Sequence, residues 1–191
     1  MSIFSIEVLL ALLGLAIILA AAFLPAVSQR TLAWTGIAGS VVALLLLCGA
    51  SHAESSLPAF VAPYYSLDTL SLFYKAFALV ITALVLWLIA ESDSTLSNSS
   101  ADGKLGELVG LPLIVCTGMM WMASAKDLVT VFVSLELVTV AFYVLVAYTR
   151  KSALSLEAGV KYLILGAAAT GVLVFGAAWV YGATGSLSFD G

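Results

Sequence analysis

Long apolar runs alternate with short polar breaks along the whole chain. Six runs, 3–24, 31–49, 67–90, 108–125, 128–148 and 158–181, approach or exceed the span of about 20 mainly apolar residues that a bilayer crossing needs. The breaks are compact. Pro25 with Gln29 and Arg30 closes the first run, and residues 51–66, with Pro58 and Pro63, part the second from the third. Residues 91–107, rich in Ser, Asp, Asn and Gly, part the third from the fourth. Lys126 and Asp127 make a tight turn, and 150–157 form the last link. The pattern predicts an all-α integral membrane protein of six transmembrane helices in one membrane domain.

Composition sharpens this picture. Of 191 residues, 63% are hydrophobic and 9% charged, against roughly a quarter charged in soluble domains. Mean hydropathy is +1.17. The lipid bilayer is therefore the first partner. A net charge of −4 leaves no basic patch for nucleic acid. The first run is too long for a signal peptide's apolar region and lacks a basic flank, since only Glu7 precedes its core, so it is expected to stay as a helix. Cys48 and Cys116 sit inside apolar runs and read as small hydrophobes. His52 lies in a loop without ligand-like neighbours. Phosphate loops, GxGxxG fingerprints and cysteine frameworks for iron–sulfur clusters are not found. In a redox system, the contribution of such a chain is ion movement. Arg30, Lys104, Arg150 and Lys151 occupy links one, three and five, whereas the even links offer only Lys126. The positive-inside rule then places the odd links in the cytoplasm and the N-terminus outside.

Ionisable groups inside apolar runs are costly and usually functional. Glu136 is the sole ionisable carboxylate of VTVFVSLELVTVAFYVLVA, roughly 12 Å into its helix. Thr139 and Tyr143, at i+3 and i+7, share its face. Two readings stand: an acid that handles protons or ions, or a protonated structural Glu that hydrogen-bonds a neighbouring helix. Lys161 lies one turn into its run, four residues after Glu157, so it is either functional or a snorkelling end residue in a helix-stabilising pair. On that helix Gly159, Gly166, Thr170 and Ala177 make a small-residue face suited to close packing. The Lys161 face is expected to meet larger neighbours. Lys75 shares a face with Asp68, Ser71 and Thr82, and is either functional or an ammonium reaching the interface. Asp127 suits a helix N-terminus.

The segments MASAKDLVTVFVSLEL, SLEAGVKY, LGAAATG and YGATGS, with LDTLSLFYKAF upstream, resemble subunit N of the proton-pumping NADH–quinone oxidoreductases, respiratory complex I. The resemblance runs from Leu67 onward. It implies an antiporter-like bundle, with leading helices over 1–90 and the start of the first repeat over 108–181. Glu136 matches the family's fifth-helix Glu, Lys161 a sixth-helix lysine and Lys75 a third-helix lysine. Val140-Ala141 stands where the family often has Leu-Pro. The family's later lysines have no counterpart here, so the chain is expected to be an N-terminal fragment of a longer family chain. The resemblance further implies that other membrane subunits of complex I are partners. NADH, flavin, iron–sulfur clusters and quinone then belong to other subunits, and the location is a bacterial inner membrane.

The implied chemistry is a switchable charge pair: beside a lysine the Glu stays ionised, and when the lysine moves away the acid takes up a proton. Glu136, Lys161 and Lys75 are the proton-translocation candidates, with Thr139, Tyr143 and Glu157 in support. The alternatives are a subunit of a multi-subunit cation/proton antiporter, a membrane scaffold that only binds neighbours, and a non-functional fragment.

Overall fold

A computed structural model describes residues 2–24, 28–50, 57–58, 60–92 and 106–189. His52, Pro25 and Lys104 lie outside the described residues. Among the described residues the helices are α1 (Ile3–Phe23), α2 (Gln29–Ala50), α3 (Thr69–Glu91), α4 (Gly106–Met122), α5 (Leu128–Val146) and α6 (Ala153–Thr184). All but α4 are long and apolar enough to cross a membrane, and α4, at 17 residues, is apolar but shorter.

Hydroxyls and carboxylates set the helix starts. Ser2, Asp68, Asp127 and Ser152 each accept the amide of the residue three positions on, satisfying donors that a helix cannot pair internally. At Asp68 the arrangement is reciprocal: the Ser71 amide donates to its carboxylate at 2.8 Å, and its own amide donates to the Ser71 hydroxyl at 3.1 Å. The Ser71 amide, then its hydroxyl, hold the Asp68 carboxyl below the usual carboxylate range. A depressed folded-state pKa means the cap contributes fully above the unfolded value of about 3.9 and is lost as pH falls through the folded value. In an acid titration, protection of the Ser71 amide from hydrogen exchange should disappear before that of the α3 interior. Simultaneous loss along the whole helix would contradict this.

Two helix ends depart from the apolar runs. Helix α6 begins at Ala153, five residues before its run, because Ser152 caps a first turn on the near side of Glu157. It spans 32 residues, about 48 Å at 1.5 Å per residue, and ends at Gly185, whose φ of 73° is the left-handed stop that glycine adopts freely. Helix α4 stops at Met122, short of 125, because its exit backbone turns to other partners: the Ser124 carbonyl accepts the Ser66 amide at 2.8 Å.

Helix α4 is the axis of the bundle. It packs on α1, α2, α3 and α5, while α6 packs chiefly on α5. Leu79 and Leu86 of α3 and Val109, Leu113, Cys116 and Met120 of α4 are fully buried. Lipid is as apolar as these side chains, so close contact between helices, rather than escape from water, holds such a core together. Helices α1 and α4 come close, backbone to backbone, at Gly14 and Gly110. A Cβ at Gly110 would stand 2.6 Å from the Gly14 carbonyl oxygen, and one at Gly14 would stand 2.8 Å from the Gly110 carbonyl oxygen.

One end of the bundle is stitched by backbone. Tyr65 pairs with Ala125, and Asp127 with Ser188, as isolated antiparallel bridges. The Lys126 amide donates to the Tyr64 carbonyl at 3.1 Å, and the Leu128 amide to the Leu187 carbonyl at 3.0 Å. This capped end also carries the start of α1. At the opposite end, Arg150 holds the two oxygens of Glu107 at 2.8 and 2.9 Å, an exposed pair of small energetic weight. The helices therefore alternate up and down, as successive membrane crossings require.

Candidate functional site: buried carboxylates in the membrane bundle

Glu136 lies half-buried near the middle of α5, against α6. Small residues on α6 make this approach possible. Gly159 sits where a Cβ would stand 2.6 Å from that of Ala147, and Gly166 leaves room for the Tyr143 hydroxyl. One face of α6 thus meets α5 through its small residues. The Thr170 hydroxyl on that face donates to Glu136 Oε1 at 2.6 Å. The other members of the Glu136 stripe do not touch its carboxylate in this way. The Thr139 hydroxyl turns back to the Glu136 carbonyl at 3.2 Å, and Tyr143 packs edge-on against Tyr162 with centroids 5.2 Å apart.

Lys161 is not brought to Glu136. Its ammonium meets Glu157 at 2.5 Å, one turn back in the same helix, and both side chains are exposed, at 69% and 57%. It stands about two turns into α6 rather than one, because the helix starts early. The face bearing Lys161 does not meet larger neighbours among the described residues: Leu165, Val172, Phe175 and Trp179 are all exposed there. The described helix that packs on α6, α5, occupies the small-residue face instead.

Lys75 is fully enclosed. Its ammonium does not reach the interface but pairs with Glu7 of α1 at 2.8 Å, both side chains at 0% exposure. Tyr65, from the segment ahead of α3, joins them. Its phenol donates to Glu7 Oε1 at 2.7 Å and accepts a hydrogen bond from Lys75, whose ammonium also lies 4.2 Å from the Tyr65 ring centroid. Burial, with the Glu7 carboxylate beside it, pushes the Tyr65 phenol above its ordinary range, so Tyr65 keeps its proton. Phe4 covers the cluster, stacked on Trp121 at 6.2 Å and edge-on to Tyr65 at 6.0 Å. A buried ion pair of this kind is sustained only when further hydrogen bonds satisfy it, and Tyr65 supplies two.

Sequence reasoning took Glu7 only as a flank of the first run and did not single out Tyr65. The signal was present: a carboxylate more than a turn into an apolar helix demands a partner. Which cation it meets depends on how α1 and α3 pack, and no local pattern encodes that. Thr170 was placed on the small-residue face but not assigned to Glu136. Among the described residues no cluster of His, Cys, Asp and Glu suited to a metal is found.

Comparison with known proteins agrees with this architecture. Residues 125–191 match the family described as NADH:quinone oxidoreductase/Mrp antiporter, TM. The chain is 38% identical to NADH-quinone oxidoreductase subunit N of Trichlorobacter lovleyi over 181 residues, 94% of this chain and 35% of that protein. It is 35% identical to subunit N of Desulfitobacterium hafniense, over 97% of this chain and 36% of that protein. The chain thus spans about a third of the length of these relatives. Among solved structures, respiratory complex I from Thermus thermophilus with bound Aureothin superposes with a TM-score of 0.75 at 26% identity, over 97% of this chain and 38% of that one. An archaeal membrane-bound sulfane sulfur reductase shares the fold, with a TM-score of 0.66 at 22% identity over 95% of this chain and 38% of that one. By the helices it folds into and the sequences it aligns with, the chain is similar to about a third of the antiporter-like membrane subunits of NADH–quinone oxidoreductase, subunit N among them.

Proposed function

We propose that the chain takes part in proton translocation coupled to quinone reduction, within the membrane arm of an NADH–quinone oxidoreductase, and that Glu136 is its principal proton carrier. The observation that carries this reading is the contact between Glu136 and Thr170. A hydroxyl both donates and accepts. Ionised Glu136 accepts the Thr170 O–H. Once a proton has added to the carboxylate, the resulting O–H donates to Thr170 Oγ1, and the Thr proton turns elsewhere. The same pair of side chains serves both states, so the acid loads and releases a proton without repacking α5 against α6. Thr139 and Tyr143 line the same face. Lys161, steadied by Glu157, supplies a basic group on α6, and Lys75 a second one deep in the bundle.

In this reading the chain sits in a bacterial inner membrane with its N-terminus outside, beside other membrane subunits. NADH, flavin, iron–sulfur clusters and quinone are held by other subunits of the complex. The test is Glu136→Gln in the assembled complex. Coupled proton pumping in inside-out vesicles should fall several-fold, while the complex still assembles. Unchanged pumping rejects the assignment. The matched family also takes in Mrp antiporters. A cation/proton antiporter subunit is therefore the second reading, and sodium-dependent proton exchange without quinone reduction would favour it.

A further inference from the structure

We propose that Glu7, Tyr65 and Lys75 form a proton-exchange site of their own at the capped end of the bundle, reached from solvent past Trp121 rather than by way of Glu136. The inference rests on the reading of the chain as a proton-translocating subunit and adds a second site to it.

The three groups form a closed ring of hydrogen bonds. Lys75 donates to Tyr65, Tyr65 donates to Glu7 at 2.7 Å, and Lys75 also meets Glu7 at 2.8 Å. Such a ring passes a proton without moving a heavy atom. One N–H bond of Lys75 breaks as its proton forms an O–H bond at Tyr65, while the original Tyr65 proton moves to Glu7 Oε1. The ion pair becomes a neutral amine and a neutral acid, with Tyr65 unchanged and the charge balanced. In a dry interior the ion pair loses the hydration that favours it in water, which brings the two forms closer in free energy.

The outer side of the ring is less tightly bonded. Glu7 Oε2 is buried without a well-formed hydrogen bond, and the group turned toward the Glu7 carboxylate there is the Trp121 indole N–H; the Ser124 hydroxyl stands in the same relation to Tyr65. Trp121 has two sides. Its nitrogen faces the cluster, and the residue also lines a cleft of about 790 Å³ with Tyr64, Asp127, Thr130, Ser134 and Ser188. The Glu7 carboxylate thus stands one side chain away from a mainly apolar cleft that Asp127, Thr130, Ser134 and Ser188 also line. Around the ring, the other titratable groups are Asp68 at the head of α3 and the Cys116 thiol of α4. Neither is hydrogen-bonded to Glu7 or Lys75.

Infrared difference spectra of the full chain in lipid nanodiscs test the proposal on the protein itself, independently of pumping. Wild type should show the C=O stretch of a protonated carboxyl that is lost in Glu7→Gln and kept in Glu136→Gln. The band should shift in Tyr65→Phe, which removes its donor, and should exchange with deuterium faster in Trp121→Phe. Identical carboxyl spectra for wild type and Glu7→Gln would overturn the proposal and leave a permanent ion pair. Should Glu7→Gln fail to fold, an unchanged carboxyl region in Tyr65→Phe overturns it equally. The pumping result for Glu136→Gln stands apart from all of these outcomes.

Discussion

Lys75→Met should destabilise the bundle by about 3–5 kcal/mol, the cost of leaving one member of a buried ion pair alone. Lys75 and Glu7 both have no exposed side-chain surface, so water cannot replace the lost partner. Glu7 would keep the Tyr65 phenol and nothing else of opposite charge among the described residues. The double variant Glu7→Leu/Lys75→Met should recover most of the loss. It removes both desolvation penalties, and side chains of similar volume fill the space. Unfolding measured in micelles for the two singles and the double gives the coupling between the residues directly. If the double is as unstable as the single, the pair is not what joins α1 to α3 at this end. Function separates from stability here. A double variant that folds but exchanges no proton at this end is the behaviour expected of a site rather than a strut.

Gly110→Ala should cost about 1–3 kcal/mol, although alanine is ordinarily the better helix former. The added methyl would sit 2.5 Å from Ile18 Cγ1 as well as 2.6 Å from the Gly14 carbonyl oxygen. A side chain such as Ile18 can change rotamer, but a backbone oxygen cannot turn away. Helices α1 and α4 must therefore separate along their main contact. Gly171→Ala in α6 is the matched control, since nothing stands within 4 Å of a Cβ there. It should gain about 0.5–1 kcal/mol from reduced backbone freedom. Thermal unfolding of both in detergent checks the contrast. Equal effects would mean that propensity, not packing, governs these glycines.

These cases mark where sequence reading succeeds and where it stops. The helices were legible because bilayer thickness imposes one length on every crossing, and the apolar runs carry that length. The start of α6 was not, because 153–157 is helical outside the apolar run, and hydropathy reports the membrane rather than the helix. The depth of Glu136 was equally plain from the residues around it. Its partner Thr170 lies 34 positions away on another helix, and only packing brings the two together. Lys75 was noticed as a charge in an apolar run, but its counter-charge lies 68 positions back, near the start of α1. A partner chosen by tertiary approach leaves no spacing to detect.

Helix α6 leaves α5 part of the way along. Toward Ala153 the Ser155 hydroxyl donates to the Val146 carbonyl at 2.9 Å and Gly159 lies against Ala147, whereas beyond Thr170 a cleft of about 570 Å³ lined by Val131, Phe132, Val172 and Gly176 parts the two helices. The contact of Thr170 with Glu136 thus stands at the fork between a closed seam and an open one. The acid is held from the closed side and approachable from the other. Spin-label distances from Val140 of α5 to Leu163 and from Val133 to Phe175 should be narrow for the first pair and broader for the second. Equal widths would rule out a fork.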